Sequence, residues 1–235
     1  MRRKTDQSPA PTAPAANAAE IDAFLRRAAA IAPPPTAASG RLVFALDATM
    51  SRQPTWDLAC SLQGAMFDAA ASVGGLAVQL VYFRGLSETR ASRWVGDARA
   101  LGGLMGRIDC RGGRTQIAKV LAHVRREAEA RPVAALAYVG DCMEEDVDAL
   151  CATAGELGLL GVKAFMFHEG ADAAAARAFR EIARLTGGAY LPFDARAAAE
   201  LRALLGAVAA YAAGGRRALE AQGGSAAARL LADLR

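Results

Sequence analysis

Acidic and hydroxyl side chains follow several apolar runs at positions from which they could reach one ligand. Carboxylate and hydroxyl oxygens are hard donors, which suit Mg²⁺, Mn²⁺ or Ca²⁺, and Mg²⁺ is expected because it keeps several of its waters. Each residue taken alone is also an ordinary helix cap or turn former. Together they predict a divalent-cation site formed by Asp47, Thr49, Ser51, Thr115 and Asp141.

The elements that must position these residues alternate between strand and helix. Apolar runs predict strands at residues 42–46, 77–83, 134–139, 162–167 and 189–191, with a short hairpin arm at 91–95. Helical periodicity fills the intervals. This alternation predicts a doubly wound α/β fold with a mostly parallel central sheet, helices on both faces and one short antiparallel edge strand. Ligands of such sheets bind at the carboxyl ends of the strands.

Both ends of the chain differ in composition from its middle. Residues 1–40 contain two segments rich in Pro, Ala, Ser and Thr, which predict a flexible region. Between those segments, residues 20–27 fit a short amphipathic helix, either loosely packed or used to dock a partner. Residues 41–212 carry the α/β pattern. The Gly- and Ala-rich residues 213–235 predict a tail with about one helical turn.

The bulk composition excludes several classes of protein. With 53% hydrophobic and 22% charged residues, the chain can form a globular core. No apolar run approaches the roughly 20 residues of a membrane-spanning helix, and the basic start lacks a secretory apolar segment, so we expect a cytoplasmic protein without membrane contact. Four cysteines without a CxxC pair predict free thiols. A net charge of +4 without a dense basic stripe argues against nucleic-acid binding.

From about Leu42 to Tyr211, the chain resembles the von Willebrand factor A family. The metal-ion-dependent adhesion site (MIDAS) of that family combines a DxSxS loop, a threonine from a second loop and an aspartate from a third. The matching residues, in that order, are Asp47, Thr49, Ser51, Thr115 and Asp141. The family usually has serine where this chain has Thr49, which keeps the hydroxyl and adds a methyl group. Residues 181–190 also resemble the family's passage from a helix into its last strand.

The resemblance implies a protein-interaction module rather than an enzyme. The three hydroxyls would contact the metal, and the two aspartates would do so directly or through water. An open coordination position would accept a carboxylate from a protein partner. The Ala- and Arg-rich composition fits a GC-rich bacterial genome, and family members of this kind imply a cytoplasmic adaptor that acts with an AAA+ ATPase or in stress response. A metal-free structural A domain is a further alternative.

A haloacid-dehalogenase-type phosphatase is the enzymatic alternative. Its nucleophilic aspartate also follows the first strand, and residues 140–146 resemble its acidic Mg²⁺ loop, so Asp47 would attack a phosphate neutralised by Mg²⁺. Such enzymes usually have a second acid where this chain has Thr49, although one branch accepts threonine. They also need a lysine ahead of the acidic loop, and Lys119 is the only candidate. These departures favour the interaction module.

Further charged residues flank these motifs. We expect 144–146, all acidic, to lie in the first turn of the following helix, where the helix dipole favours acids. Arg84, Arg90 and Arg93 surround the predicted hairpin, where their charges would discourage strand pairing or, alternatively, contact an acidic partner. His123 and His168 have no nucleophile at a readable spacing, so no catalytic triad is predicted.

Overall fold

Apolar runs and helical periodicity give six strands and seven helices in the part of the chain that the computed structural model describes, residues 40–49, 53–71, 73, 75–194 and 198–234. The predicted N-terminal helix and Ser51 lie outside the described residues. The strands are β1 (Gly40–Asp47), β2 (Leu76–Arg84), β3 (Glu88–Val95), β4 (Ala135–Gly140), β5 (Lys163–Glu169) and β6 (Ala189–Phe193). The helices are α1 (Gln53–Ala71), α2 (Ala98–Met105), α3 (Ile117–Ala130), α4 (Val147–Leu159), α5 (Ala173–Thr186), α6 (Ala198–Gln222) and α7 (Gly224–Asp233).

The strands form one sheet in the order β3-β2-β1-β4-β5-β6. Neighbouring strands are parallel except for β3, which is the edge strand and pairs antiparallel with β2. The strand order reverses direction at β1, from which the chain winds first to one side and then to the other. The predicted doubly wound α/β fold is therefore confirmed, and the carboxyl ends of β1, β2 and β4 to β6 share one edge of the sheet.

Both faces of the sheet are covered by helices, which explains why its strands are apolar without alternation. On one face Leu42, Phe44 and Leu46 pack in a cluster with α1, α2, α6 and α7. On the other face Val43 and Ala45 pack in a cluster with α3, α4 and α5. All five side chains are at most 1% exposed. This rigid β1 delivers the residues that follow it to the centre of the carboxyl edge.

The C-terminal region differs from the predicted tail, because α6 continues to Gln222 and α7 follows directly. Leu219 and Leu230 of these helices are fully buried against the sheet's first face. Alanine is the best helix former, and the glycines mark bends, since Gly215 and Gly223 have positive φ angles of 68° and 65°. Helix α2 has no counterpart among the predicted elements. None of the described helices has the length and apolar character that crossing a membrane requires.

Candidate metal centre

Asp47 is the last residue of β1 and is only 4% exposed. Ala48 continues beside β2 for one more residue, because its N–H donates to the Phe83 carbonyl at 2.9 Å. The chain then turns, and the Thr49 N–H donates to Asp47 Oδ1 at 2.7 Å. This local bond fixes the Asp47 carboxylate at the carboxyl edge and holds half-buried Thr49 beside it. The position of Ser51, outside the described residues, stays a prediction.

Asp141 lies at the same edge, directly after β4, the strand next to β1. Leu46 pairs with Val139 in the parallel register, so Asp47 is level with Gly140 and Asp141 follows one residue later. Adjacent strands run about 4.8 Å apart. The register therefore brings the first and third predicted loops together.

A buried histidine holds the Asp141 loop against the rest of the sheet. His168 is 1% exposed, with Nε2 3.2 Å from the Asp141 carbonyl oxygen and Nδ1 2.7 Å from the Tyr190 hydroxyl. Burial lowers the pKa of His168, and this effect outweighs the carbonyl contact and neighbouring acids that raise it. In the neutral ring Nε2–H donates to the Asp141 carbonyl, and Nδ1 accepts from Tyr190. No local sequence pattern indicates this role, because it depends on how the neighbouring strands pair.

Thr115 of the second predicted loop is 6% exposed and bonds directly to the third loop. Its N–H donates to Glu144 Oε2 at 3.1 Å, and the Glu144 N–H donates to Thr115 Oγ1 at 3.1 Å. A hydroxyl oxygen has two lone pairs, so this bond leaves one for a cation. The reciprocal pair fixes the Thr115 hydroxyl against the loop that carries Asp141.

The neighbouring acids cap two different helices. Asp146 caps α4, with Oδ1 accepting from the Ala149 N–H at 3.0 Å. Glu145 instead accepts from the first N–H groups of α3, those of Ile117 at 2.6 Å and Ala118 at 2.9 Å. The expectation that 144–146 lie in the first turn of the following helix is therefore wrong, because Glu144 and Glu145 bind the second loop and α3, and Asp146 is the cap just before that turn. The cap residue of α3, at position 116, makes no side-chain cap bond, so an acid from another loop satisfies that helix.

The Gly-rich turn before Thr115 crosses the ends of β1 and β2. The Arg111 N–H donates to the Ala48 carbonyl at 2.9 Å, and the Arg114 N–H donates to the Gly85 carbonyl at 3.1 Å. A Cβ atom added to Gly113 would lie 2.1 Å from the Gly85 oxygen, which is backbone and cannot move aside easily. Glycine at position 113 is thus required by close approach and lets the second loop reach the site.

Several carboxylates lie close enough together at the site to act on one neighbouring side chain. Burial, followed by the charges of Asp141, Glu144, Asp47 and Asp172, raises the pKa of the Cys142 thiol to about 11. Asp47 and Asp141, both predicted ligands, thus act on the same side chain. In the absence of a cation, this raised pKa keeps the thiol protonated at neutral pH.

The donors in this region fit a hard cation. Among the described residues no group of three His, Cys, Asp or Glu side chains could hold a metal, so a site here depends on hydroxyls and water beside two aspartates. The structure brings Asp47, Thr49, Thr115 and Asp141 to one edge of the sheet. That combination suits an ion such as Mg²⁺, which prefers oxygen and keeps part of its hydration shell.

The phosphatase alternative requires a lysine that reaches the Asp47 carboxylate. The Lys119 ammonium instead donates to the Ser87 carbonyl and to Gln116 Oε1, both at 2.9 Å. Ser87 lies in the turn between β2 and β3. Lys119 therefore stabilises that turn in this structure, which counts against a phosphate-binding role.

The sequence matches no protein-family model and no curated protein. Similar solved structures include the human COPII-coat protein Sec24c, with a TM-score of 0.57 and 12% identity over 72% of this chain and 32% of that one. The SpRpn10 VWA domain gives a TM-score of 0.54 and 11% identity over 69% of this chain and 95% of that one. The chain thus spans about a third of Sec24c but nearly all of the SpRpn10 domain.

A third similar structure is proximal thread matrix protein 1 from the mussel byssus, solved with a zinc-occupied MIDAS motif. Its TM-score is 0.54, with 14% identity over 73% of this chain and 46% of that one. Sequence identities this low support a shared fold and nothing more. The strand order, the helices on both faces and these neighbours agree that this protein has a von Willebrand factor A-type fold.

Proposed function

We propose that this protein is a metal-dependent protein-interaction module. In this proposal Mg²⁺ is held at the carboxyl edge of the sheet and accepts a carboxylate from a protein partner. The observation that carries the proposal is the convergence of three loops, in which Asp47 is level with the residue before Asp141 and Thr115 bonds to the Asp141 loop. The proposed ligands are Asp47, Thr49, Ser51, Thr115 and Asp141.

The proposed ligand set leaves the ion able to bind a further anion. Two carboxylates no more than balance the charge of a divalent cation, and hydroxyls and water add no negative charge, so a further carboxylate can replace a bound water. When bound, the ion supplies the positive charge that attracts a partner's carboxylate. Glu144 and Glu145 carry further negative charge nearby, but their carboxylates accept bonds from backbone N–H groups. Without the ion, the acidic rim would repel an acidic partner.

The biological setting of the module is also a proposal. The resemblance of the sequence to bacterial A domains supports a cytoplasmic adaptor that acts with an AAA+ ATPase or in a stress response. We propose no catalytic role. The Lys119 ammonium contacts the β2–β3 turn and Gln116, so these contacts do not support a phosphatase that needs this lysine to bind phosphate.

Partner capture tests the proposed function. The immobilised full chain is exposed to cell extract with Mg²⁺ or with EDTA, and retained proteins are identified by mass spectrometry. We expect a set of proteins that requires Mg²⁺ and is absent with Asp47→Asn, which removes the charge but keeps an oxygen for the Thr49 N–H. Asp146→Asn, which removes a charge from the acidic loop and keeps a capping oxygen, should retain that set. Mg²⁺-dependent hydrolysis of a phosphate ester that Asp47→Asn abolishes would contradict the proposal.

A further inference from the structure

A second surface of the protein lies away from the predicted metal ligands, between edge strand β3 and helix α3. We call it the basic groove, a cavity of about 250 Å³ whose polar lining comes from both elements. Strand β3 contributes Thr89 and Arg90, and α3 contributes Lys119, His123 and Arg126. Lys119 and Arg126 place two cations on the α3 side of the groove, whereas Arg90 is level with Tyr82 and its side chain extends from the opposite face of β3 beside Glu88. None of the described residues that line the groove is acidic.

The cations of the basic groove are not neutralised by strong ion pairs. Arg126 is exposed and forms no ion pair with any residue in the described part of the chain. The contacts of Lys119 are to carbonyl oxygens, which do not cancel its charge.

The half-buried carboxylate of Glu127, the residue after Arg126 on α3, is occupied elsewhere. Glu127 Oε2 lies 2.7 Å from Arg41 Nη2 and accepts from Trp94 Nε1 at 3.0 Å. His123 Nε2 lies 2.9 Å from Gln79 Oε1, and burial lowers the pKa of His123. The histidine is therefore neutral at neutral pH, and the charge of the groove is that of Lys119 and Arg126.

The strand beside the groove offers backbone as well as charge. Because β3 has a sheet neighbour on only one side, its outer edge presents a row of N–H and C=O groups. An extended peptide can extend a sheet at such an edge, with main-chain bonds giving affinity and side-chain contacts giving specificity. Among the described residues that line the groove, none is a Tyr, Trp or Phe on which a nucleobase could stack. These features favour an acidic protein segment over a nucleic acid.

We infer that the basic groove binds an extended acidic segment of a partner protein, which pairs with β3 as an added strand. Its carboxylates lie on the strand face turned toward α3 and contact Lys119 and Arg126. This contact is independent of the metal centre, so it persists in EDTA, and it gives the protein a second attachment point for a partner.

The test measures binding of a fluorescein-labelled peptide of four Glu-Val repeats to the full chain by fluorescence anisotropy in EDTA. We expect saturable binding that weakens with salt, no binding of the Lys-Val analogue, and affinity about tenfold lower for Lys119→Glu with Arg126→Glu. The matched control reverses two exposed arginines on α6, Arg202→Glu with Arg217→Glu, and should bind as wild type does. Equal affinity of the two double variants, with both melting as wild type, would overturn the proposal.

Two methylated peptides test the strand pairing itself. One carries N-methyl groups on the Val amides and the other on the Glu amides. Alternate residues of an added strand face β3, so just one of these peptides should lose affinity. Loss by neither or by both overturns strand addition. Displacement of the Glu-Val peptide by oligothymidylate at lower concentration than by unlabelled peptide would identify a nucleic-acid surface instead.

Discussion

Gly112 and Gly113 stand side by side in the turn before Thr115, yet the structure treats them differently. A Cβ on Gly113 would lie 2.1 Å from the Gly85 carbonyl oxygen, whereas a Cβ on Gly112 would meet nothing within 4 Å. Neither residue has a positive φ angle. The difference between them is therefore steric contact rather than backbone conformation, which makes them a matched pair.

We predict that Gly113→Ala lowers the free energy of unfolding by about 1–3 kcal/mol, because the second loop must move away from the β2–β3 turn. Gly112→Ala should change it by no more than about 0.5 kcal/mol. Urea denaturation followed by circular dichroism measures both. Equal effects of the two substitutions would show that the loop does not pack on Gly85 as described.

At the residue scale, the sequence predicted the location of residues that directly follow strands, while their role as metal ligands stays a prediction. Asp47 and Asp141 were identified because their positions depend on strand ends, which apolar runs reveal. The bonds from Glu144 and Glu145 to the N-terminus of α3 span 27 to 29 residues and depend on how two helices meet at one edge. No local pattern encodes that meeting, so the acids were assigned to the helix that follows them in sequence.

Four elements meet at one carboxylate on the side of the sheet covered by α3. Glu127 of α3 binds Arg41 of β1 at 2.7 Å and Trp94 of β3 at 3.0 Å, and Gln79 of β2 lies within 3.4 Å. The Arg41 guanidinium also lies 3.9 Å from the centre of the Trp94 ring. Burial raises the pKa of Glu127, but the hydrogen bonds from Trp94, Gln79 and Arg41 and the nearby His123 outweigh it, so the pKa lies below its ordinary 4.5.

Because the folded-state pKa of Glu127 is lowered, its ionised form stabilises the fold above pH 4.5, and this contribution is lost as pH falls through the folded value. We predict that Glu127→Gln costs about 1–3 kcal/mol at neutral pH. The difference from wild type should shrink below pH 4.5. Denaturant titrations across this range measure it.

The control for this prediction is Glu129→Gln on the same helix. Its side chain is 56% exposed and lies 3.7 Å from Arg125, so we expect a change below about 1 kcal/mol. A difference between wild type and Glu127→Gln that stays constant down to acid pH would contradict the role given to the carboxylate charge.

Elements were predicted well where hydrophobicity alone marks them. All six strands were identified. The five parallel strands were recognised as apolar runs, and β3 was recognised by its place after a short turn. Helices α6 beyond residue 212 and α7 were read as a tail because glycines at 215, 223 and 224 interrupt the pattern. Those glycines are bends between helical segments. The burial of Leu219 and Leu230 against the sheet distinguishes packed helices from a loose tail.

At the scale of the whole molecule, the fold directs polar chemistry to one edge and apolar contacts to two faces. Strand ends deliver Asp47 and Asp141, while the start of α3 delivers Thr115. The acids of the third loop fasten the second loop in place. We propose that this preformed arrangement holds a divalent cation, as the von Willebrand factor A-type fold allows.

A thermal melt of the purified full chain with EDTA and then with excess Mg²⁺ tests this claim most directly. At an ion concentration near a hundred times Kd, a ligand that binds only the folded state adds about 2.7 kcal/mol of stability. We predict an upward shift for wild type and for Asp146→Asn, and none for Asp47→Asn. No shift in wild type with Mg²⁺ or Mn²⁺, or an equal shift in Asp47→Asn, would contradict a metal site at Asp47.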